Sequence, residues 1–130
     1  MSYTLAGDSL AGTKILLAED DDLVARVMSV ILTRAGAEVA RAVDGPSAVE
    51  LAAERAFDVA LLDLDMPRYG GVEVAREFVG MPNAPACVAL TGSEREEDRA
   101  RCARAGMVGY LVKPARPDVL IAEILRVLGR

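Results

Sequence analysis

Apolar residues along this chain fall into two alternating kinds of stretch: short unbroken runs, and longer segments with helical spacing. The first run, Lys14-Ile15-Leu16-Leu17-Ala18, is too short for a helix and reads as a buried strand. It breaks into Glu19-Asp20-Asp21-Asp22. Leu23, Val24, Val27, Met28, Ile31 and Leu32 then recur at helical spacing until Gly36 stops the helix. Asp21 or Asp22 caps that helix, because a helix N-terminus favours acids. Residues 37–41 form a second strand, more polar and so nearer a sheet edge. Asp44-Gly45-Pro46 turns into a helix whose inner face is Val49, Ala52, Ala53 and Ala56.

The central strand spans 57–62, where Val59-Ala60-Leu61-Leu62 leads straight onto Asp63. A helix over 72–79 and a loop over 81–85 follow. A fourth strand, 87–90, ends on Thr91-Gly92. Ser93-Glu94-Arg95-Glu96 matches a capping box and opens a heavily charged helix that ends at Gly106. Its apolar stripe is thin (Ala100, Cys102, Ala103), which predicts the least firmly docked helix of the fold. The fifth strand, 109–112, runs into Lys113-Pro114. Pro117 starts a last helix with Leu120, Ile124, Val127 and Leu128 on one stripe. Five strands alternating with five helices predict a parallel sheet covered on both faces and joined by right-handed crossovers.

Composition narrows the function. A chain of 130 residues, 52% hydrophobic and without Trp, makes one domain with an aliphatic core. We place that domain at 14–130 and read 1–13, rich in Gly, Ser and Ala, as a flexible tail. The net charge of −5 argues against direct nucleic-acid or membrane binding and fits protein partners or a cation site. There is no signal-peptide pattern and no run of transmembrane length. Cys87 and Cys102 lack metal spacing and read as reduced thiols, so a cytoplasmic protein is expected. The chain has no His, which removes Ser-His-Asp and Cys-His catalysis and every His-ligated metal site.

Four of the five strands end in chemically active side chains: Glu19 and Asp20, Asp63, Thr91, and Lys113. In a parallel sheet these ends share one edge, where α/β folds place their ligands. Carboxylates brought together repel unless a cation neutralises them. Mg²⁺ suits such a site when few carboxylates, waters and a phosphate oxygen share it. The hydroxyl and ammonium then hold phosphoryl oxygens, as phosphoryl transfer to a carboxylate requires. Taken singly, each motif has a plainer reading: a solvated cap run, a turn acid, a turn hydroxyl, a surface lysine.

In order, Leu17-Ala18-Glu19-Asp20, Asp63-Leu64-Asp65-Met66-Pro67, Ala89-Leu90-Thr91-Gly92 and Gly109-Tyr110-Leu111-Val112-Lys113-Pro114 resemble a receiver domain of a two-component response regulator. The resemblance runs from Lys14 to the C-terminus. Residues 96–107 look most like receivers of hybrid histidine kinases. It implies a flavodoxin-like, doubly wound fold with a five-stranded sheet in the order 2-1-3-4-5. It implies that Asp63 accepts a phosphoryl group from the phosphohistidine of a histidine kinase or histidine phosphotransfer protein. Asp20 and Asp63 would bind Mg²⁺, with Glu19 acting through water and the backbone carbonyl of Asp65 as a further ligand. Thr91 and Lys113 would hold the phosphoryl group, and the Lys113-Pro114 bond would be cis. Thr91 and Tyr110 would switch the face made by the fourth helix, fifth strand and fifth helix, through which a downstream protein or a weak dimer would dock.

Such a domain is not a turnover enzyme, beyond phosphorylating and dephosphorylating itself. Two alternatives remain: a haloacid-dehalogenase-like phosphatase using Asp63 and Asp65, and a phosphorylation-independent binding module. The phosphatase motif usually opens its chain, whereas this one is mid-chain, and none of the site residues is missing. Two departures from the family pattern stand out. Ala115 replaces an aromatic, and Asp65 puts a second carboxylate at the pocket mouth, where it would alter phosphoryl lifetime.

Overall fold

The computed structural model describes residues 9–130. The element order is β1 (Lys14–Ala18), α1 (Asp22–Arg34), β2 (Glu38–Ala42), α2 (Gly45–Glu54), β3 (Val59–Asp63), α3 (Gly71–Phe78), β4 (Ala86–Thr91), α4 (Glu96–Arg104), β5 (Gly109–Val112) and α5 (Pro117–Val127). All neighbouring strands are parallel, in the order β2-β1-β3-β4-β5. This is the expected doubly wound (βα)5 arrangement, with β3 at the centre and every one of its residues buried.

Strand alternation divides the interior into two layers. Ile15, Leu17, Val59, Leu61, Val88, Leu90 and Leu111 pack against Ala25, Met28 and Leu32 of α1 and Leu120 and Ile124 of α5. Leu16, Ala18, Ala60, Leu62, Cys87 and Ala89 pack against Ala48 of α2, Val72, Ala75 and Phe78 of α3, and Cys102 of α4. Apolar side chains on both faces of the inner strands explain the unbroken hydrophobic runs.

Several elements differ from the sequence reading. β2 begins and ends one residue later, and β3 runs on to include Asp63. In α2 the inner face is Gly45, Ala48, Val49 and Ala52, whereas Ala53 and Ala56 are exposed. Gly45 sets that face: a Cβ there would stand 2.4 Å from the Tyr69 carbonyl oxygen, so only Gly lets this turn of α2 approach the loop after β3. Ser93 does not cap α4. The N-cap is Arg95, without a side-chain cap bond, and Ser93 Oγ instead accepts the Arg95 N–H and donates to Asp98 Oδ2. Ser93 is drawn away because its own N–H donates to Thr91 Oγ1 and its carbonyl accepts from Tyr110. The thin stripe of α4 is borne out: Cys102 is its one buried residue.

The expected flexible tail at 1–13 is corrected at its C-terminal end; residues 1–8 lie outside those described. Leu10 is fully buried in the α1/α5 layer, and its N–H donates to Ala35 O at 2.8 Å. Thr13 is also fully buried and accepts from Arg130 Nη1. Leu10 thus covers the α1/α5 layer beside the C-terminal end of α1. Its neighbours Ser9 and Ala11 are small, and gave no periodic signal. Among the described residues no helix is long and apolar enough to cross a membrane.

Truncation of a side chain this buried leaves a cavity as well as losing transfer energy. Leu10→Ala is therefore expected to destabilise the fold by about 2–4 kcal/mol. Urea unfolding with an unchanged slope checks this; an unmoved midpoint would return residues 9–13 to the tail.

Candidate functional site

Three strands of the sheet, at or just past the ends of their ladders, deliver the same face of the sheet to one edge. Glu19, Asp63 and Lys113 continue the alternation of Leu17, Leu61 and Leu111, so all three emerge on the α1/α5 side. Glu19 and Asp63 are each only 1% exposed. Asp20, one residue on, is exposed. Carboxylate oxygens of Glu19, Asp20 and Asp63 lie within 4.8 Å of one another. Lys113 Nζ stands 3.1 Å from Glu19 Oε1 and 3.3 Å from Asp63 Oδ1. The Lys113–Pro114 peptide is cis, as expected.

Thr91 ends β4 and is buried, one residue beyond Leu90, the register partner of Asp63. Its hydroxyl oxygen accepts the Ser93 N–H at 3.1 Å. Asp65 is exposed, and it is its backbone N–H that reaches Asp63, donating to Oδ1 at 3.0 Å. Gly71, opening α3, closes the floor: a Cβ there would stand 2.9 Å from the Asp63 carbonyl oxygen. Tyr110 is half-buried. Its hydroxyl donates to Ser93 O at 3.0 Å, and its N–H donates to Glu123 Oε2 at 3.0 Å.

Sequence reading did not find three neighbours of these residues. Arg99 Cζ lies 4.3 Å from the centroid of the Tyr110 ring, a cation–π contact. Glu123 holds the Tyr110 backbone from α5. Arg41 donates to the Glu19 carbonyl from β2. Arg99 comes from a heavily charged helix where one charge resembles the next, and Glu123 from the polar side of an otherwise apolar one. Arg41 carried a faint signal, being a charge near the end of a half-apolar strand.

Charge at this edge is out of balance. Burial pushes the Glu19 carboxyl up to about 7, and its hydrogen bond with Asp63 adds to the rise; the Asp21 N–H and Lys113 pull back only in part. Burial also pushes Asp63 up, but the Asp65 N–H, the bond with Glu19 and the Lys113 ammonium outweigh it and hold Asp63 below the usual carboxylate range. Burial lowers Lys113, but Glu19 and Asp63 outweigh this and hold it charged. One ammonium facing three carboxylates leaves room for more positive charge. An all-oxygen donor set of this kind fits a hard divalent cation.

A family model described as the response regulator receiver domain matches residues 15–125. The chain belongs to the response regulator receiver domain family. This receiver is 36% identical, over 98% of its length, to the transcriptional regulatory protein PdtaR of Mycobacterium tuberculosis, of which it covers 62%. It is 31% identical over 95% of its length to the transcriptional regulatory protein ResD of Bacillus subtilis, of which it covers 51%. The chain thus spans about half to three-fifths of the length of these curated relatives. Among solved structures it resembles the receiver domain of a sensor histidine kinase from Pseudomonas aeruginosa, which has a magnesium ion coordinated in its active-site cleft. The TM-score is 0.84 and the identity 33%, covering 92% of this chain and 100% of that one. It also resembles a chemotaxis response regulator of Vibrio cholerae, with a TM-score of 0.84 and 30% identity, covering 89% and 98% of the two chains. The phosphatase alternative is not favoured: Asp63 ends the receiver's third strand, and Asp65, in the turn that follows, has an exposed side chain.

The receiver's acidic edge makes cation binding depend on pH. A cation must displace the proton that Glu19 holds below about 7. With Mg²⁺ as probe, affinity at pH 6 is expected to be roughly tenfold weaker than at pH 8. Calorimetry in two buffers of different ionisation enthalpy should show proton release at pH 6; pH-independent affinity would contradict the link between the cation and the Glu19 proton.

Proposed function

We propose that Asp63 is the phosphoacceptor of this receiver, taking a phosphoryl group from a phosphohistidine on another protein. The observation that carries this is the convergence of buried Asp63 with Glu19, Asp20 and Lys113 at one sheet edge. These 130 residues hold no His, so the phosphohistidine lies outside them, and a histidine kinase or a histidine phosphotransfer protein fits that role. Receivers of regulators and of a sensor kinase are similar to this chain to comparable degrees, so the likeness to hybrid-kinase receivers supports a relay without selecting it.

Asp63 is suited to attack. It stays ionised near neutrality, and its Oδ1 is fixed by the Asp65 N–H and Lys113. A carboxylate oxygen bonds to phosphorus as the P–N bond breaks, and the electron pair leaves with the imidazole nitrogen. Lys113 and Thr91 hold the phosphoryl oxygens. Glu19, Asp20, Asp63 and the Asp65 carbonyl would hold Mg²⁺, which supplies positive charge against the added phosphoryl oxygens. The domain turns over no external substrate; the acyl phosphate is lost by hydrolysis at the same site.

Ser93 links this chemistry to the surface. Thr91 Oγ1 and the Tyr110 hydroxyl bind opposite ends of one residue, its N–H and its carbonyl. When the Thr91 hydroxyl turns to a phosphoryl oxygen, Ser93 loses an anchor and its hold on Tyr110 loosens. The α4–β5–α5 face then presents a different surface to a downstream protein or a second copy. The domain itself works by protein contact, its net charge of −5 giving no general attraction to nucleic acid or membrane. This reading places it in the cytoplasm, where such kinases act.

Acetyl phosphate with Mg²⁺ should add one phosphoryl group, mapped by mass spectrometry to the peptide holding Asp63. Asp63→Asn should abolish the label, and Lys113→Ala or Thr91→Ala should slow its appearance by roughly 10²-fold or more. Label elsewhere, or none, would overturn the assignment. Asp65→Asn is expected to change the dephosphorylation rate; an unchanged rate removes the exposed carboxylate from the account.

A further inference from the structure

β2 contributes no residue to the acidic cluster, yet it sends one side chain towards it. Arg41 pairs in register with Leu17 and lies one residue before the end of β2. Its Nε and Nη2 both donate to the Glu19 carbonyl oxygen, at 3.0 and 2.8 Å. Its Nη1 donates to Asp22 Oδ1 at 2.8 Å. The ladder between β1 and β2 stops at Ala18 and Ala42, so the Glu19 carbonyl has no strand partner of its own. The Glu19 N–H donates to Ala42 O. Both polar groups of the Glu19 backbone are therefore held by consecutive residues of β2.

We propose that Arg41 is a positioning residue for the metal-binding turn: its guanidinium fork fixes the Glu19 peptide so that Glu19 and Asp20 meet Asp63. This rests on the reading that the edge holds a divalent cation. The turn needs such a restraint because Glu19, Asp20, Asp21 and Asp22 are consecutive acids that repel one another. The Asp22 contact is a minor part of the hold, since that side chain is 91% exposed. The fork on Glu19 O is the sheltered part, as the Arg41 side chain is only 26% exposed. Planar, paired donors of this kind belong to Arg; Lys offers a point charge instead.

Positioning and plain charge make opposite predictions. Arg41 is itself a cation near a cation site, so its charge alone repels Mg²⁺. Removing it would tighten Mg²⁺ binding if charge were all it contributed, and weaken binding if it holds the turn.

The test is Mg²⁺ affinity by calorimetry for wild type, Arg41→Met and Arg41→Lys, with circular dichroism and urea unfolding confirming that each is folded at the assay temperature. Arg41→Met is expected to bind roughly tenfold more weakly, and Arg41→Lys to fall between it and wild type. Equal or tighter binding by Arg41→Met, with normal wild-type binding, would overturn this inference alone. Absence of Mg²⁺ binding by wild type would overturn the functional reading and this inference with it. Should Arg41→Met not fold, Arg41→Lys decides, because it keeps the charge and loses the fork: weaker binding supports the proposal and unchanged binding overturns it.

Discussion

Two nearly inaccessible carboxylates, Glu19 and Asp63, share one ammonium, Lys113. Most features of this molecule follow from that arrangement. Burying charge is unfavourable unless every group finds a partner, and a single lysine cannot satisfy two acids with a third beside them. The protein leaves the deficit in place. Its apparent consequence is Glu19, whose carboxyl is held up to about 7 mainly by burial. A core built only for stability would replace this set with apolar residues. Its place at the edge of an otherwise largely apolar interior fits a site that takes up further positive charge.

The fold makes this arrangement possible by keeping the chemistry off the helices. Parallel strands all end at the same edge, and the two-residue side-chain period carries the α1/α5 face straight from Leu17, Leu61 and Leu111 into Glu19, Asp63 and Lys113. Close backbone approaches then fix what surrounds them. Gly71 lets α3 begin against the Asp63 carbonyl, and Gly45 lets α2 meet the loop that follows β3. The rigid element is the sheet, and the acidic turn after β1 is tied back to it through both polar groups of the Glu19 backbone.

The hydrogen bonds that lead away from Thr91 run to the less firmly packed side of the molecule. α4 buries one side chain, Cys102, and starts without a side-chain cap. Helices with so little buried surface sit at the low end of local stability. Ser93 lies just before α4, bonded to Thr91 on one side and Tyr110 on the other. Arg99 of α4 packs over the Tyr110 ring, and Glu123 of α5 holds its backbone. A change at the Thr91 hydroxyl therefore meets, within a few residues, the part of the fold that resists displacement least.

Read as a string, the chain already declared its class and its chemistry. The apolar runs ending in Glu19, Asp63, Thr91 and Lys113 are local signals, because a buried parallel strand needs both faces apolar and its end is marked by the first polar side chain. That is why the strands, their alternation with helices and the meeting of Glu19, Asp20, Asp63 and Lys113 at one edge were legible, with β1 and β5 placed to the residue. Helix faces were less so. In α2 several alanines offered equivalent stripes, and only the contact of Gly45 with Tyr69 chose among them. Ser93 looked like a cap until Thr91 and Tyr110 competed for it, and Leu10 looked like tail until Ala35 supplied a partner for its backbone. Arg99 and Glu123 had no local signature, and Arg41 only a faint one, since a charged side chain acquires a role from what lies across a strand or helix boundary. Periodicity is written along the chain; partnership between distant residues exists only once the chain has folded.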